Sequence, residues 1–157
     1  MDPAPVEQLE PLAFLLGTWR GSGRGIYPTI DAFGYEEEAR FTHTGRPFLV
    51  YSSKTWHPDD GRPMHAESGF IRISGEARIE MVIAHAFGIT EIGEGHVDGT
   101  SLEVTSTALA SSSTAKTVDA ISRTLLVDAE VLSYEIGMSF GGHELQNHLK
   151  ARLEKVG

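Results

Sequence analysis

Phe70-Ile71-Arg72-Ile73-Ser74-Gly75-Glu76-Ala77-Arg78-Ile79-Glu80-Met81-Val82-Ile83 contains two short, β-prone runs on either side of a turn. Side chains along an extended strand point alternately to opposite faces, so each run has one face suited to a core and one suited to water or a polar lumen. Ser74-Gly75-Glu76 supplies the turn chemistry between them. The unit recurs outward along the chain. Phe48, Val50 and Ser52 alternate with Leu49, Tyr51 and Ser53, and Leu102-Glu103-Val104-Thr105-Ser106 follows the same rule. Thr44-Gly45-Arg46-Pro47, Asp59-Asp60-Gly61, Asp98-Gly99 and Gly141-Gly142 punctuate the series. Asp98-Gly99 is the clearest hairpin signal and predicts a type I′ turn, which needs positive φ at both central residues. About ten strands result, with so little helix that a sandwich or a closed barrel is required. Closure has the added effect of removing exposed sheet edges.

Two segments read differently. Val6 to Leu16 has helical apolar spacing interrupted by Pro11, which predicts one or two short helical turns. Ala110-Ser111-Ser112-Ser113-Thr114 reads as a flexible loop rather than a boundary, so residues 1–157 form a single domain. In Gly17-Thr18-Trp19-Arg20-Gly21-Ser22-Gly23, glycines at alternate positions strip side chains from one strand face. Such a strand can bend sharply or lie close under another element, with Trp19 as a plug.

Composition narrows the chemistry. The chain has no cysteine, which excludes disulfides, thiolate zinc sites, iron–sulfur clusters, thiolate-ligated haem and cysteine nucleophiles. A net charge of −9, with Lys and Arg scattered singly, argues against a nucleic-acid partner. No apolar stretch is long enough to cross a bilayer as a helix, and the start Met1-Asp2-Pro3 has no secretory character. Cytoplasmic residence is the resulting expectation. Exposed strands or the N-terminal turns allow a homodimer, although the patterning selects no surface.

Any metal must therefore be held by His, carboxylate, Met or Tyr. The seven histidines are His43, His57, His65, His85, His96, His143 and His148, none in the spacing of a helical zinc motif. His148 follows Leu145-Gln146-Asn147, after a glycine turn and before an alternating strand, and periodicity leaves open which strand face it occupies.

These residues carry a family resemblance. Gly17-Thr18-Trp19-Arg20-Gly21-Ser22-Gly23 fits the GxWxGxG signature of nitrobindins, which are fatty-acid-binding-protein-like haem proteins. Further matches follow in family order: Tyr27-Pro28-Thr29-Ile30, Phe33-Gly34-Tyr35-Glu36-Glu37, His43-Thr44-Gly45-Arg46-Pro47, Pro63-Met64-His65-Ala66-Glu67-Ser68-Gly69-Phe70, Gly88-Ile89-Thr90-Glu91, Ala115-Lys116 and Leu145-Gln146-Asn147-His148-Leu149. The ordered set is far more specific than GxWxGxG alone.

The resemblance implies an all-β, ten-stranded antiparallel barrel of the calycin type, with ferric haem b in a largely apolar pocket at one end. His148 matches the family's axial iron ligand and catalytic residue. Thr29 and Lys116 match residues placed at the haem, and Met64, His65 and Met138 match its pocket lining. Glu67 stands near enough in sequence to satisfy the His65 ring. The implied activity is isomerisation of peroxynitrite to nitrate, with reversible nitric oxide binding. A lone imidazole leaves one iron face open to such small ligands. A barrel of this size also suits a non-catalytic carrier or sensor of haem, nitric oxide or a small apolar ligand.

Overall fold

The alternating runs become one closed sheet in the computed structural model, which describes residues 5–27, 30–140 and 147–157. The strands are β1 (Gly17–Tyr27), β2 (Ile30–Thr42), β3 (Phe48–Trp56), β4 (Pro63–Gly75), β5 (Arg78–His85), β6 (Ile89–Asp98), β7 (Ser101–Ser111), β8 (Val118–Asp128), β9 (Val131–Phe140) and β10 (Asn147–Lys155). Each pairs antiparallel with its neighbours in sequence, and β1 closes the barrel against β10 through pairs running from Trp19↔Lys155 to Ile26↔His148. The sandwich alternative is thereby excluded.

One end of the barrel is plugged. Glu7–Leu15 is a 3₁₀ helix of nine residues, longer than the one or two turns expected across Pro11. The reason lies in the spacing of Leu9, Leu12 and Leu15. A 3₁₀ helix has three residues per turn, so all three leucines fall on one face. Each is completely buried. Trp19 lies against this plug, its indole N–H donating to the Leu15 carbonyl at 2.8 Å.

The glycines of β1 serve both uses that their spacing allows. A methyl built on Gly21 would stand 2.1 Å from the Arg152 carbonyl oxygen, so β1 and β10 approach too closely there for a side chain. Farther along, the Tyr35 and Phe33 rings lie over Gly23 and Gly25, their cross-strand partners. These aromatic rings fill lumen space that side chains on β1 would otherwise occupy.

The hairpin at Asp98-Gly99 forms, but not as a type I′ turn. Asp98 pairs with Ser101, making Gly99-Thr100 the central pair, and Gly99 alone has positive φ, at 59°. A glycine at the first central position is the type II′ pattern, whose twist also matches flanking strands. Ala129 occupies the corresponding position in the β8–β9 loop at φ 54°, without glycine's freedom. Ala110 and Ser111, expected in a loop, extend β7 along β6 instead.

The ladder between β7 and β8 is short. It runs from Ser101↔Leu126 to Thr105↔Ser122, after which the Ser106 hydroxyl accepts from the Ile121 N–H. Beyond that point β7 pairs with β6 and β8 with β9, but not with each other. The barrel wall is parted at the end opposite the plug.

Two substitutions test this account by chemical denaturation. Ala129→Gly should raise stability by up to about 1 kcal/mol, because left-handed backbone costs alanine roughly 1–2 kcal/mol and glycine's unfolded freedom takes back part of that. Gly21→Ala should cost about 1–3 kcal/mol, as added bulk in a close-packed seam does.

Candidate functional site

Opposite the plug, the lumen widens into a cavity of about 730 Å³. Its walls include Tyr27, Phe33, Phe87, Ile136, Met138, Phe140 and Leu149, and its lining also contains Thr114, Ala115 and Lys116 from the β7–β8 connection. The volume falls within the range of about 300–1,000 Å³ usual for small-molecule sites. An apolar wall with a cation in the lining suits a flat apolar ligand bearing carboxylates, such as a porphyrin with its propionates.

The expected site residues divide into three groups. Met64, His65, Met138 and Lys116 all line the cavity, Met64 from a rather exposed position at the start of β4. Thr29 lies outside the described residues. His148 is not brought onto the wall: it is exposed near the start of β10, paired with Gly137 and Ile26. Leu149, its neighbour, faces the cavity, while Ala151 and Leu153 continue that inward phase. By strand alternation His148 belongs to the opposite phase.

The cavity floor is polar, unlike the largely apolar pocket that the resemblance implies. Arg123, on β8, makes paired hydrogen bonds to two buried carboxylates. Its Nη1 and Nη2 donate to Glu67 at 2.9 and 3.2 Å, and its Nε and Nη2 donate to Glu91 at 3.1 and 2.8 Å. Tyr51 adds a hydrogen bond of 2.6 Å to Glu67. His85 Nε2 lies 2.8 Å from Glu91, and His85 Nδ1 lies 3.1 Å from Glu67. His65 Nε2 is 3.4 Å from the same Glu67 oxygen, so the proximity expected from sequence is present.

A second chain of polar groups adjoins it. Tyr134 donates to Glu37 at 2.5 Å, and Ser53 donates to the other Glu37 oxygen at 2.5 Å. With the Tyr134 proton committed, the Tyr35 hydroxyl donates to Tyr134 across 2.7 Å. Among the described residues, every buried side-chain nitrogen and oxygen has a hydrogen-bond partner.

The carboxyls of the two chains shift in opposite directions. Burial disfavours ionised Glu67 and Glu91, but the Arg123 guanidinium and the histidine contacts prevail, holding both carboxyls below their ordinary value. Burial also disfavours protonated His85, yet its hydrogen bonds to Glu67 and Glu91 raise its pKa. Glu37 goes the other way: burial dominates, its hydroxyl donors only partly compensate, and its pKa is raised. Burial likewise raises Tyr35, Tyr51 and Tyr134. Burial acts on every one of these groups, and the donors and charges facing each decide whether it prevails.

The sequence reading missed Glu91 and Arg123 as partners of Glu67 in one cluster, and Glu37 in the chain beside it. The available signal was phase. Arg123 stands between inward-facing Ile121 and Leu125, and Glu91 stands two residues after inward-facing Ile89. A charge at an apolar phase of a strand marks a buried partner on another strand.

Denaturation of the ligand-free protein can separate the two chains. Glu67→Gln should cost about 3 kcal/mol, the lower end for removing one member of a buried ion pair, because Glu91 still faces Arg123. Glu37→Gln should change stability far less at pH 4.5. Since the folded pKa of Glu37 lies above 4.5, its contribution to parent stability declines as pH rises from 4.5. Stability of Glu37→Gln relative to the parent should therefore grow over that interval, then level off.

Comparison with known proteins agrees with this geometry. Residues 8–155 match the THAP4-like, heme-binding beta-barrel domain. "Peroxynitrite isomerase 2" of Mycobacterium ulcerans is 46% identical over 151 residues, covering 94% of each chain. "Peroxynitrite isomerase Rv2717c" of Arabidopsis thaliana is 47% identical over 149 residues, covering 93% of this chain and 87% of that protein. The crystal structure of Rv2717c from M. tuberculosis superposes with a TM-score of 0.91 at 39% identity, covering 98% of this chain and all of that one. From the N-terminal plug to the last strand, this chain belongs to the family of THAP4-like, haem-binding β-barrel domains.

Proposed function

We propose that this protein holds ferric haem b in the cavity above the Arg123 cluster, isomerises peroxynitrite to nitrate there, and binds nitric oxide reversibly. The observation that carries the reading is the apolar-walled cavity of about 730 Å³ with Lys116 in its lining, in a member of a haem-binding family. Relatives with 44–46% identity over most of the chain bear the name peroxynitrite isomerase.

Each residue has a definable part. Met138, Ile136, Phe140 and Leu149 provide an apolar wall that limits water at the reacting centre. Lys116 supplies a cation for a propionate, and Thr29 a hydroxyl for a propionate or bound ligand. Met64 and His65 contribute soft and aromatic surface on the β4 side. His148 would hold the iron, an assignment that rests on its match within Leu145-Gln146-Asn147-His148-Leu149. For it to coordinate, its ring must come round to the cavity side of β10. When bound, ferric haem supplies an electrophilic, redox-capable centre for rearranging the peroxynitrite O–O bond, while the protein supplies orientation and exclusion. The cell compartment we infer is the cytoplasm, and the partners are small molecules rather than nucleic acid or membrane.

Haem titration followed by rapid mixing tests the proposal. The parent should take up one ferric haem with a sharp Soret band, speed peroxynitrite decay and raise nitrate yield. His148→Ala should lose the band and return decay to the haem-free rate. A Soret band that survives in His148→Ala but falls in His65→Gln would transfer the iron-holding role to His65. Haem uptake without faster decay would overturn the isomerase reading and leave a haem carrier or nitric oxide sensor.

A further inference from the structure

The floor of the cavity contains a second constellation that haem binding does not use as a whole. His65 and Glu67 stand two residues apart on the inward face of β4, and Glu67 is the cross-strand partner of His85 on β5. This register brings one ligand atom from each close together. His85 Nδ1 and Glu67 Oε2 are 3.1 Å apart, His65 Nε2 and Glu67 Oε2 are 3.4 Å apart, and the two imidazole nitrogens are 3.4 Å apart. A tetrahedral ion with bonds of about 2.0–2.1 Å separates its ligands by about 3.3–3.4 Å. The three atoms therefore form a triangle close to one face of such a tetrahedron.

The supporting contacts are also those of a metal site. The other ring nitrogen of His85 lies 2.8 Å from Glu91, the carboxylate–histidine arrangement that fixes a ligand's tautomer and strengthens its donor atom. Glu67 Oε1 is held by Arg123 and Tyr51, and Oε2, which also accepts from Arg123 Nη2 at 3.2 Å, is the oxygen that meets both histidines. Phe87 packs 5.0 Å from both imidazole rings, limiting their rotation. His65 and Glu67 both line the cavity, so two of the three ligands are reached from it.

We propose that His65, Glu67 and His85 form a three-ligand site for a divalent ion of the zinc type, with its fourth position open to the cavity. Two nitrogens and one carboxylate oxygen make a donor set that zinc accepts in catalytic-type sites. Charge is compatible as well. Ionised Glu67 and Glu91 against Arg123 leave one negative charge, and a divalent ion reverses it to one positive charge. Hydroxide or a small anion at the fourth position would neutralise the centre. The site stands independently of any porphyrin and is testable in haem-free protein.

Cobalt(II) is the probe, because four-coordinate cobalt has much stronger visible absorption than the hexaaqua ion. Chelator-treated, haem-free protein should bind one equivalent with a four-coordinate spectrum, zinc should displace it, and zinc should raise the melting temperature. His65→Gln, at a partly exposed position, should abolish both the spectrum and the thermal shift. Glu91→Gln should weaken binding by roughly 10- to 100-fold, the usual cost of losing an outer carboxylate partner. His96→Ala, on the exposed face, should bind like the parent. Absence of a saturable four-coordinate spectrum in the parent would overturn the proposal, as would equal binding by folded His65→Gln.

Discussion

The clasp of Arg123 on Glu67 and Glu91 is the constraint around which the interior is organised. A guanidinium and two carboxylates are costly to remove from water, and they persist inside only because each remaining donor and acceptor finds a partner. The clasp ties β4, β6 and β8 together across the lumen. It lies between a lower core, sealed by Leu9, Leu12, Leu15 and Trp19, and an upper cluster that includes Ile89, Ile121, Ile136 and Met138. The lower region holds a small cavity of about 20 Å³, while the upper one opens into the large cavity. A charged floor also limits how deeply an apolar ligand can sink, since doing so would strip Arg123 or Glu67 of its partners.

The histidines and tyrosines extend this arrangement in opposite electrostatic senses. On the Glu67–Glu91 side, cationic groups keep the carboxyls ionised. On the Glu37 side, hydroxyl donors from Tyr134 and Ser53 face a carboxyl whose burial favours the neutral form. One floor thus presents, within a single barrel cross-section, carboxyls pushed in opposite directions from their ordinary value.

Much of the fold was legible because strand alternation is a local property. Runs such as Ile79–Ile83 and Leu102–Ser106 announce both a strand and its two faces, and Gly21 and Gly23 announce a strand under crowding. The turn at Gly99 was placed correctly but mistyped, because Asp98-Gly99 does not reveal which residues will be paired. The 3₁₀ helix was underestimated since Pro11 argues against an α-helix, whereas the three-residue spacing of the leucines fits the tighter coil. At the site, motif matches led to Lys116, Met64, His65 and Met138 on one cavity. They did not lead to the Arg123 cluster, whose members are distant in sequence and meet only once barrel register is set. His148 marks the same limit from the other direction: a motif supplies its assignment, but the phase of β10 decides where its ring begins.

The parted seam between β7 and β8 gives the two ends of the molecule different mechanics. Below Thr105 and Ser122 the wall is a continuous hoop, able to resist widening through its hydrogen bonds. Above them it is a split collar, in which β7 and β8 can separate without breaking a mutual backbone bond. Widening is therefore resisted least along this seam, whereas the plugged base keeps the β7–β8 ladder.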